Sequence, residues 1–369
     1  MPDIRIAIAG VGNCASALIQ GIEYYRQPGA DTQQGLMQKK IGGYRPTDIK
    51  AVAAFDVDAR KVGLTLDRAI FANPNCADTI CADIPPSPVT VEMAPVLDGV
   101  AAHMADYPSP SAFRVAELPP VNVAERLCAT GAEVLVCYLP VGSDQAVQYF
   151  ARACLDAGVA MVNCVPTFIA SNPEWAEEFR KSGLPIIGDD IKSQFGATIL
   201  HRQLVNLLGD RGLKLERTYQ LNTGGNTDFL NMLARERLSS KKRSKTESVQ
   251  SQLPENLDPE NIHVGPSDYV AWQGDNKVCF IRCEGRGFAN TPFELELRLS
   301  VQDSPNSAGV VIDAIRCVQL AREQGLAGPV EAPSACYMKS PPVQMRDSEA
   351  LKRNLEFQQG ARRNRKASA

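Results

Sequence analysis

The 369-residue chain has an ordinary globular composition, with 44% hydrophobic and 22% charged residues, enough for one large or two ordinary domains. Its formal net charge of −3 argues against nucleic-acid binding, which needs a net basic surface. The sequence contains no apolar run long enough to cross a bilayer and starts with a strand-like segment, so we expect neither a membrane association nor secretion.

A glycine-rich turn follows the first predicted strand. The segment 5–9, apolar from Ile6 onward, leads into Gly10, Gly12 and Ala15, which form a G-x-G-x-x-G/A pattern. In this pattern the first glycine permits a tight turn, the second lets a pyrophosphate approach the backbone, and the third small residue lets the helix pack on the strand. The turn therefore predicts an anion site at a helix N-terminus.

The second predicted strand, residues 49–55, ends at Asp56. An acidic residue in this place holds the ribose hydroxyls of a dinucleotide and repels a 2′-phosphate, which favours NAD over NADP. The spacing from Ala15 to Asp56 is about twice the spacing of about 20 residues in the simple fingerprint. We attribute the excess to a loop inserted at residues 26–48, which is rich in Gly, Gln and Lys.

Strands and helices then alternate through the first half of the chain. We predict helices over 123–129, 143–156 and 173–181 and strands over 133–138, 159–164 and 185–188, with a proline-rich irregular connection over 76–120. Such alternation is typical of a parallel sheet that is covered on both faces. The predicted fold is α/β, a Rossmann-like doubly wound parallel sheet, with residues 1–196 as the NAD-binding domain.

The pattern changes after residue 197. A helix over 197–208 and a strand over 213–221 precede residues 293–301, whose strict polar and apolar alternation predicts a half-exposed antiparallel strand. We expect an inserted α+β domain at residues 197–304. A cap at 304–307 and a helix over 308–324 would return the chain, residues 305–369, to the first domain. The basic tail 360–369 is predicted to be frayed and solvated.

The cysteines and histidines indicate a reducing compartment and no zinc cage. Eleven cysteines, most of them in apolar contexts such as Cys137 and Cys164, are typical of buried free thiols, so we expect a cytoplasmic protein. The three histidines, His103, His201 and His263, are far apart, and no C-x-x-C pair occurs. Histidine-based catalysis is therefore a poor starting hypothesis.

Three segments combine groups that could carry chemistry. Residues 187–198 place Asp189, Asp190, Lys192 and Ser193 at a strand's carboxyl end, where ligands bind in open α/β sheets, although helix capping would explain the same residues. Residues 221–231 combine glycines, amides and an acid, which ordinary turns also do. Residues 239–246 contain four cations, which indicate a solvated face or a phosphate site.

Residues 275–277 resemble a hairpin turn and residues 302–304 resemble a helix cap, while Lys339 is a lone cation after apolar residues. Taken one at a time, each of these features has a structural explanation.

Together, these segments resemble the myo-inositol-1-phosphate synthases of the shorter bacterial and archaeal type. The resemblance rests on residues 10–14 (GVGNC), 138–143 (YLPVGS), 188–193 (GDDIKS), 222–226 (NTGGN), 240–246 (SKKRSKT), 303–309 (DSPNSAG) and 338–342 (MKSPP). It covers nearly the whole chain, and the blocks around Asp190 and Lys245 are specific because dehydrogenases at large do not carry them. The basic tail departs from the family pattern.

The resemblance implies a redox-neutral, NAD-dependent isomerisation of D-glucose 6-phosphate to 1D-myo-inositol 3-phosphate, the first step of inositol and phosphoinositide biosynthesis. The open-chain sugar is oxidised at carbon 5, the carbon 6 enolate attacks the carbon 1 aldehyde, and carbon 5 is reduced again. Cations are needed at the developing oxyanions and a base is needed at the carbon 5 hydroxyl.

The family's motifs imply roles for individual residues. Lys241 is expected to donate a proton at the oxyanion, Lys339 to handle the carbon 5 hydroxyl proton, and Lys245 and Lys277, with the 193–198 turn, to bind phosphate. The remaining catalytic candidates are Asp190 and Asp303, which would orient lysines and hydroxyls, and Asn222, near Asn226. The cofactor candidates are Gly10, Gly12, Asn13, Cys14, Asp56, Leu139, Pro140, Asp190, Ser193, Asp228 and Lys241.

The resemblance also implies a homotetramer assembled through the sheet of the middle domain. No ligand spacing demands a metal ion, although Asp189, Asp190 and Asp303 could supply oxygen ligands to a divalent or monovalent cation. Two other functions remain as hypotheses: an NAD-dependent dehydrogenase of a phosphorylated small molecule, and a non-catalytic NAD-sensing module.

Overall fold

The computed structural model describes residues 3–30, 34–265 and 268–367. The strands are β1 (Ile4–Ala9), β2 (Ile49–Asp56), β3 (Val91–Met93), β4 (Val134–Cys137), β5 (Ala160–Asn163), β6 (Pro185–Ile187), β7 (Lys214–Gly224), β8 (Ile262–Val264), β9 (Asp268–Tyr269), β10 (Asn276–Arg286), β11 (Pro292–Gln302) and β12 (Gly328–Pro329). The α-helices are α1 (Asn13–Tyr24), α2 (Leu66–Ala69), α3 (Val123–Thr130), α4 (Asp144–Ala157), α5 (Pro173–Lys181), α6 (Ala197–Asp210), α7 (Thr227–Asn231), α8 (Ser239–Gln250), α9 (Asp303–Glu323), α10 (Glu331–Tyr337) and α11 (Asp347–Ala367).

Seven parallel strands form the larger sheet, in the order β12-β6-β5-β4-β1-β2-β3. Strand β1 is buried on both faces because Ile6 and Ile8 pack with α1 and α9, whereas Ala7 and Ala9 pack with α3 and α4. A parallel sheet with helices on both faces is the doubly wound arrangement. The predicted α/β, Rossmann-like fold is therefore confirmed.

The second sheet is built from the middle of the chain, in the order β11-β10-β7-β8, with β9 also paired to β7. Strand β10 is antiparallel to both β7 and β11, and α6 and α8 cover one face of the sheet. In β11 the partly buried side chains alternate with exposed ones along the whole strand. The half-exposed antiparallel strand predicted over 293–301 is thus confirmed.

The chain returns to the larger sheet through α9, which packs against α1, while β12 adds an edge strand beside β6. Helix α9 begins at Asp303, so the predicted cap at 304–307 is wrong because these residues lie inside the helix. The predicted hairpin turn at 275–277 is also wrong, because β10 begins there. Gln302, the N-cap residue, accepts no side-chain capping bond; the Ser304 N–H donates instead to Asp275 Oδ2 at 3.1 Å. Sequence rules for local caps do not detect such a tertiary partner.

Two other expectations need correction. The irregular connection over 76–120 contains the short strand β3, and the basic tail expected to be frayed continues α11 as far as Ala367. The end of that tail, residues 368–369, and part of the predicted inserted loop, residues 31–33, lie outside the described residues. All 11 cysteines are free thiols, and none of the helices in the described ranges is both long and apolar enough to cross a membrane.

A buried ionic cluster connects α6 and α8 to the start of α11. The Lys192 Nζ lies 3.1 Å from Asp347 Oδ1, and the Arg202 Nε lies 2.9 Å from Asp347 Oδ2. Arg202 also donates to the carbonyl oxygens of Ser248 and Met345. Burial lowers the pKa of Lys192 to about 8, so the carboxylate of Asp347 is needed to keep two buried cations compensated.

Replacing Asp347 by alanine should lower the free energy of unfolding by about 3–5 kcal/mol, because it leaves two buried cations without their carboxylate. The control is Asp210→Ala, which removes an exposed ion pair with Arg346 and should cost less than about 1 kcal/mol. Urea denaturation of both variants measures the difference. Equal costs for the two variants would contradict this role of Asp347.

Candidate active site

A cavity of about 1270 Å³, including its solvent-open part, lies at the carboxyl ends of the central parallel strands and is also lined by the second sheet and its helices. Its lining residues include Gly12, Asn13, Cys14, Asn75, Phe113, Tyr138, Leu139, Pro140, Asp190, Ser193, Thr198, Gln220, Asn226, Asp228, Phe229, Lys241, Lys245, Lys277, Asp303, Ser304, Ser307 and Lys339. Ligands bind at this edge of open α/β sheets, because loops from several strands meet there.

The glycine turn forms one wall of the cavity. Gly10 has a positive φ of 90°, and a Cβ atom there would lie 2.9 Å from the Tyr138 carbonyl oxygen, so the position requires glycine. A Cβ atom at Gly12 would meet nothing within 4 Å. Gly12 caps α1 without a side-chain bond, and the first turn of α1 contains no acidic residue. The helix N-terminus is thus open to an anion such as a pyrophosphate.

Asp56 lies beside the glycine turn at the end of β2. Its Oδ2 accepts from the Val11 N–H at 2.7 Å, and its Oδ1 accepts from the N–H groups of Val57 and Asp58 at 2.7 and 2.8 Å. These bonds fix the carboxylate against the turn, outside the cavity lining named above. The placement is compatible with the predicted contact to a ribose, although the carboxylate also has a structural role.

Asp190 and Asp189 have opposite environments although they are neighbours. Asp190 accepts from Lys339 Nζ at 2.8 Å and from Ser244 Oγ at 2.6 Å, inside the cavity. Asp189 points away and accepts from Asn163 Nδ2 and from the N–H and hydroxyl of Ser171 at 2.7–2.9 Å. The expectation that Asp189 could help ligate a cation with Asp190 is therefore wrong, because its carboxylate anchors a turn.

The four predicted lysines converge on the cavity from three elements. Lys241 and Lys245 lie one turn apart on α8, Lys277 lies near the start of β10, and Lys339 follows α10. Lys277 Nζ lies 3.2 Å from Asp303 Oδ1, and Lys241 Nζ lies 3.8 Å from Asp228 Oδ2. Lys245 is buried and has no carboxylate at ion-pair distance among the described residues.

These environments shift the pKa values of three of the lysines in different directions. Burial lowers the pKa of Lys245 well below its ordinary value, and the neighbouring ammonium groups of Lys277, Lys241 and Lys339 lower it further. Burial also lowers the pKa of Lys339, although Asp190 opposes the shift. Burial acts in the same direction on Lys241, but the carboxylates of Asp228, Asp190 and Asp303 outweigh it and raise its pKa. Lys241 is thus held as a cation, whereas Lys245 and Lys339 lose a proton more readily.

The two paired carboxylates stay ionised. Burial by itself would raise the pKa of Asp190, but Lys339 and Lys241 hold it below its ordinary value. The pKa of Asp303 is likewise lowered, because Lys277 and Lys241 outweigh its burial. The cavity therefore contains fixed charges of both signs, which can orient a polyhydroxylated anion.

The turn before α6 also lines the cavity. Ser193 and Thr198 line the cavity, and α6 starts at Ala197 without a side-chain cap. Asn306 of α9 fixes this turn, since its Oδ1 accepts from the Phe195 N–H at 2.9 Å and its Nδ2 donates to the Phe195 carbonyl at 2.7 Å. The start of α6 is thus a second helix N-terminus that is open to an anion.

Most predicted site residues line this cavity, but three do not: Gly10, Asp56 and Asn222. Asn222 is buried in β7, where its Oδ1 accepts from Gln220 Nε2 at 3.3 Å. The cavity is also lined by Gln220, Phe229, Asn75 and Phe113, which were not predicted from the sequence. No pattern marks the last two, because they come from the irregular segment after α2. Ser304 and Ser307, which line the cavity, lie in the 303–309 motif but were predicted to form a helix cap.

Comparison with known proteins places the chain beside one group of enzymes. Residues 196–304 match the family model described as myo-inositol-1-phosphate synthase. The chain is 52% identical over 353 residues to the inositol-3-phosphate synthase of Mycolicibacterium smegmatis, an alignment that covers 94% of this chain and 96% of that protein. It is 50% identical over 360 residues to the inositol-3-phosphate synthase of Corynebacterium glutamicum, covering 96% and 98%. Among solved structures, that of Ari2 is 38% identical with a TM-score of 0.77, covering 98% of this chain and 99% of that one.

Proposed function

The chain belongs to the myo-inositol-1-phosphate synthase family, and we propose that it converts D-glucose 6-phosphate to 1D-myo-inositol 3-phosphate with NAD as cofactor. The observation that carries the proposal is the convergence of Lys241, Lys245, Lys277 and Lys339 on a cavity that the glycine turn also lines. Four lysine side chains beside a dinucleotide site suit a sugar phosphate and the proton transfers and oxyanions of its cyclisation.

The residues around the glycine turn fit NAD. The pyrophosphate would lie in the open space at Gly12, against the uncapped start of α1 with Asn13 and Cys14. The Asp56 carboxylate would accept hydrogen bonds from the ribose hydroxyls. The other residues proposed to contact the cofactor are Leu139, Pro140, Asp190, Ser193, Asp228 and Lys241. NAD supplies a hydride acceptor and donor for carbon 5, so that the overall reaction is redox-neutral.

The proposed proton transfer at carbon 5 belongs to Lys339. Its lowered pKa makes the neutral amine accessible, and its bond to Asp190 fixes Nζ in the cavity. A neutral amine in that place can accept the proton of the carbon 5 hydroxyl as that carbon is oxidised, and an ammonium can return it in the last step. Asp190, held in turn by Ser244, stabilises the ammonium between these steps.

Ring closure needs a stable cation, and Lys241 is the best candidate. The ketone at carbon 5 acidifies carbon 6, and attack of the enolate on the carbon 1 aldehyde creates an alkoxide. Lys241, kept protonated by the surrounding carboxylates, can stabilise this charge and donate a proton to it. Asp228 lies 3.8 Å from its Nζ and orients the side chain.

The phosphate group would bind between Lys245, Lys277 and the 193–198 turn. Burial, and after it the neighbouring cations, lower the pKa of Lys245, and an arriving dianion would offset the repulsion from those cations. Asp303 orients Lys277 at 3.2 Å, and the start of α6 contributes backbone N–H groups. Asn222 does not line the cavity but accepts a hydrogen bond from Gln220, which does, and would act by holding Gln220 in place.

The two carboxylates of the cavity that could bind a metal cation are already paired with lysines. A divalent or monovalent cation bound by Asp190 or Asp303 would compete with Lys339 or Lys277 for the same oxygens. No group of three or more His, Cys, Asp or Glu side chains with a geometry for a metal ion occurs in the described ranges.

We further propose a cytoplasmic homotetramer that assembles through the second sheet. Its open face exposes Leu221 and Phe280, each 43% exposed, and β11 is an edge strand with an unpaired side. Exposed apolar side chains beside an open edge favour association with another copy. Light scattering measures the mass, and a monomer at micromolar concentration would refute this assembly.

The proposed activity predicts conversion of glucose 6-phosphate with no net formation of NADH. With NAD at one-hundredth of the sugar concentration, inositol phosphate should accumulate over many turnovers while absorbance at 340 nm stays flat; ³¹P NMR identifies the product. A reaction without NAD is the control, after removal of any cofactor carried by the protein. Steady accumulation of NADH would instead identify a dehydrogenase, and NAD binding without turnover would identify a sensing module.

A further inference from the structure

Asp275 is a buried carboxylate at the junction of three elements that carry cavity residues. It immediately precedes β10, is 3% exposed, and has no cation at ion-pair distance within the described part of the chain. Three donors from two other elements converge on its oxygens. The proposed mechanism assigns it no role, and a buried carboxylate without a cation is costly unless hydrogen bonds compensate its charge, as these three do.

The first of these elements is α7, which carries Asp228. Asn226 Nδ2 donates to Asp275 Oδ1 at 2.8 Å, and this bond orients the amide so that its oxygen faces the start of α7. Asn226 Oδ1 then accepts from the N–H groups of Asp228 and Phe229 at 3.0 and 3.2 Å, which is the N-cap of the helix. Asp275 therefore fixes the residue that starts α7.

The second element is α9, which carries Asp303 as its first residue. Ser304 donates to Asp275 twice, from its N–H at 3.1 Å and from its hydroxyl at 2.9 Å, and the Asp303 N–H donates to the Asp275 carbonyl at 2.9 Å. Since Gln302 supplies no side-chain cap, Asp275, which lies just before β10, acts as the cap of α9.

We propose that Asp275 is a positioning residue of the active site, whose carboxylate fixes the starts of α7 and α9 relative to β10 and so holds Asp228 and Asp303 where they orient Lys241 and Lys277. Lys277 lies two residues after Asp275 on β10 and pairs with Asp303 at 3.2 Å. The assignment rests on the proposed function, because the synthase reaction is what requires these two lysines in fixed places. Displacements of about 1 Å at such groups cost about 100-fold in rate.

The charge of Asp275 is essential to this role. Burial and the neighbouring Asp303 carboxylate raise its pKa to about 6, so it is mostly ionised at pH 7.5 and accepts all three hydrogen bonds. An asparagine would keep the shape but would turn an NH₂ group toward Ser304 or Asn226, both of which are donors. Asp275→Asn is therefore a selective test of the link.

In Asp275→Asn, kcat for inositol phosphate formation should fall about 10- to 100-fold because Lys241 is displaced, and KM for the sugar should rise because Lys277 binds its phosphate. The dissociation constant for NAD should change by less than about threefold. Rates are expressed per NAD-binding site, so that a smaller folded fraction does not count as lost turnover. Asn226→Asp keeps the N-cap oxygen of α7 but faces Asp275 with a carboxylate, and it should lose kcat to a similar degree. The control is Asp258→Asn, an exposed cap in the same domain, which should keep wild-type kcat.

A crystal structure of Asp275→Asn tests the positioning without any assay. The Lys277 Nζ to Asp303 Oδ1 separation, 3.2 Å in the native chain, should lengthen or the pair should separate. Wild-type kcat per NAD site in both Asp275→Asn and Asn226→Asp, or an unchanged Lys277–Asp303 pair, would overturn the inference. Failure of the wild-type protein to form inositol phosphate would reject the proposed function instead, and the crystallographic result would still decide the role of Asp275.

Discussion

Replacing Lys241 by methionine should lower kcat for inositol phosphate formation by about 1000-fold, because the alkoxide formed on ring closure loses its cation and its proton donor. The side chain occupies a cavity wall on α8, and three carboxylates, Asp228, Asp190 and Asp303, keep it protonated. Methionine preserves the length and the apolar stem, so that packing changes little. Product formation by ³¹P NMR and NAD binding by calorimetry separate lost chemistry from lost cofactor.

The neighbouring residue supplies the control for Lys241. Lys242 lies on the same helix and is exposed, so Lys242→Met removes an equal charge outside the cavity and should leave kcat within about twofold. The two variants together distinguish a specific cation from the general basicity of α8. Retention of a tenth or more of the wild-type kcat in Lys241→Met would reject its role, and equal losses in both variants would indicate that the whole helix is disturbed.

Replacing Lys339 by arginine should also lower kcat by about 1000-fold, for a different reason. Arginine can keep an ion pair with Asp190, but it cannot give up a proton near neutral pH, so the base at the carbon 5 hydroxyl is lost. Lys339→Met should lose a similar amount. Lys352→Met, an exposed position on α11, is the control and should behave as wild type.

The pH dependence of the wild-type enzyme provides a second test of Lys339. The neutral amine is the active form for oxidation, and burial has lowered its pKa, so kcat should rise as the pH is raised through that pKa, below the ordinary lysine value. The rising limb should be absent from the residual activity of Lys339→Met. A variant Lys339→Arg with substantial turnover, or a limb that persists in Lys339→Met, would exclude Lys339 as the base.

Much of the fold follows from local sequence patterns. Continuous apolar runs predicted β1, β2, β4 and β5 in the larger sheet, because both faces of these strands are buried, and the strict alternation at 293–301 predicted β11. The glycine turn was also predicted correctly from local sequence, because a tight turn restricts the residue types that it accepts. The short strands β3 and β12 were missed, because two or three residues carry no periodicity.

The prediction of the site residues depended more on the resemblance to a known family than on local sequence patterns. The four-residue spacing of Lys241 and Lys245 would put them on one face of the segment if it were helical, but it did not decide between a solvated face and a phosphate site. Lys277 and Lys339 each have an ordinary structural explanation in the sequence. Their place in the cavity depends on β10 pairing with β7 and on α10 packing against α9.

The sequence by itself determined the elements whose stability comes from neighbouring residues: the buried parallel strands, the glycine turn, the amphipathic helices and the half-exposed strand. Only the tertiary structure decided which carboxylate enters the cavity, since Asp190 meets Lys339 while Asp189 meets Ser171. It also decided where α9 begins, through Asp275. The physical reason is that charges and helix ends are satisfied by partners distant along the chain, and those partners become neighbours only when the two sheets pack together.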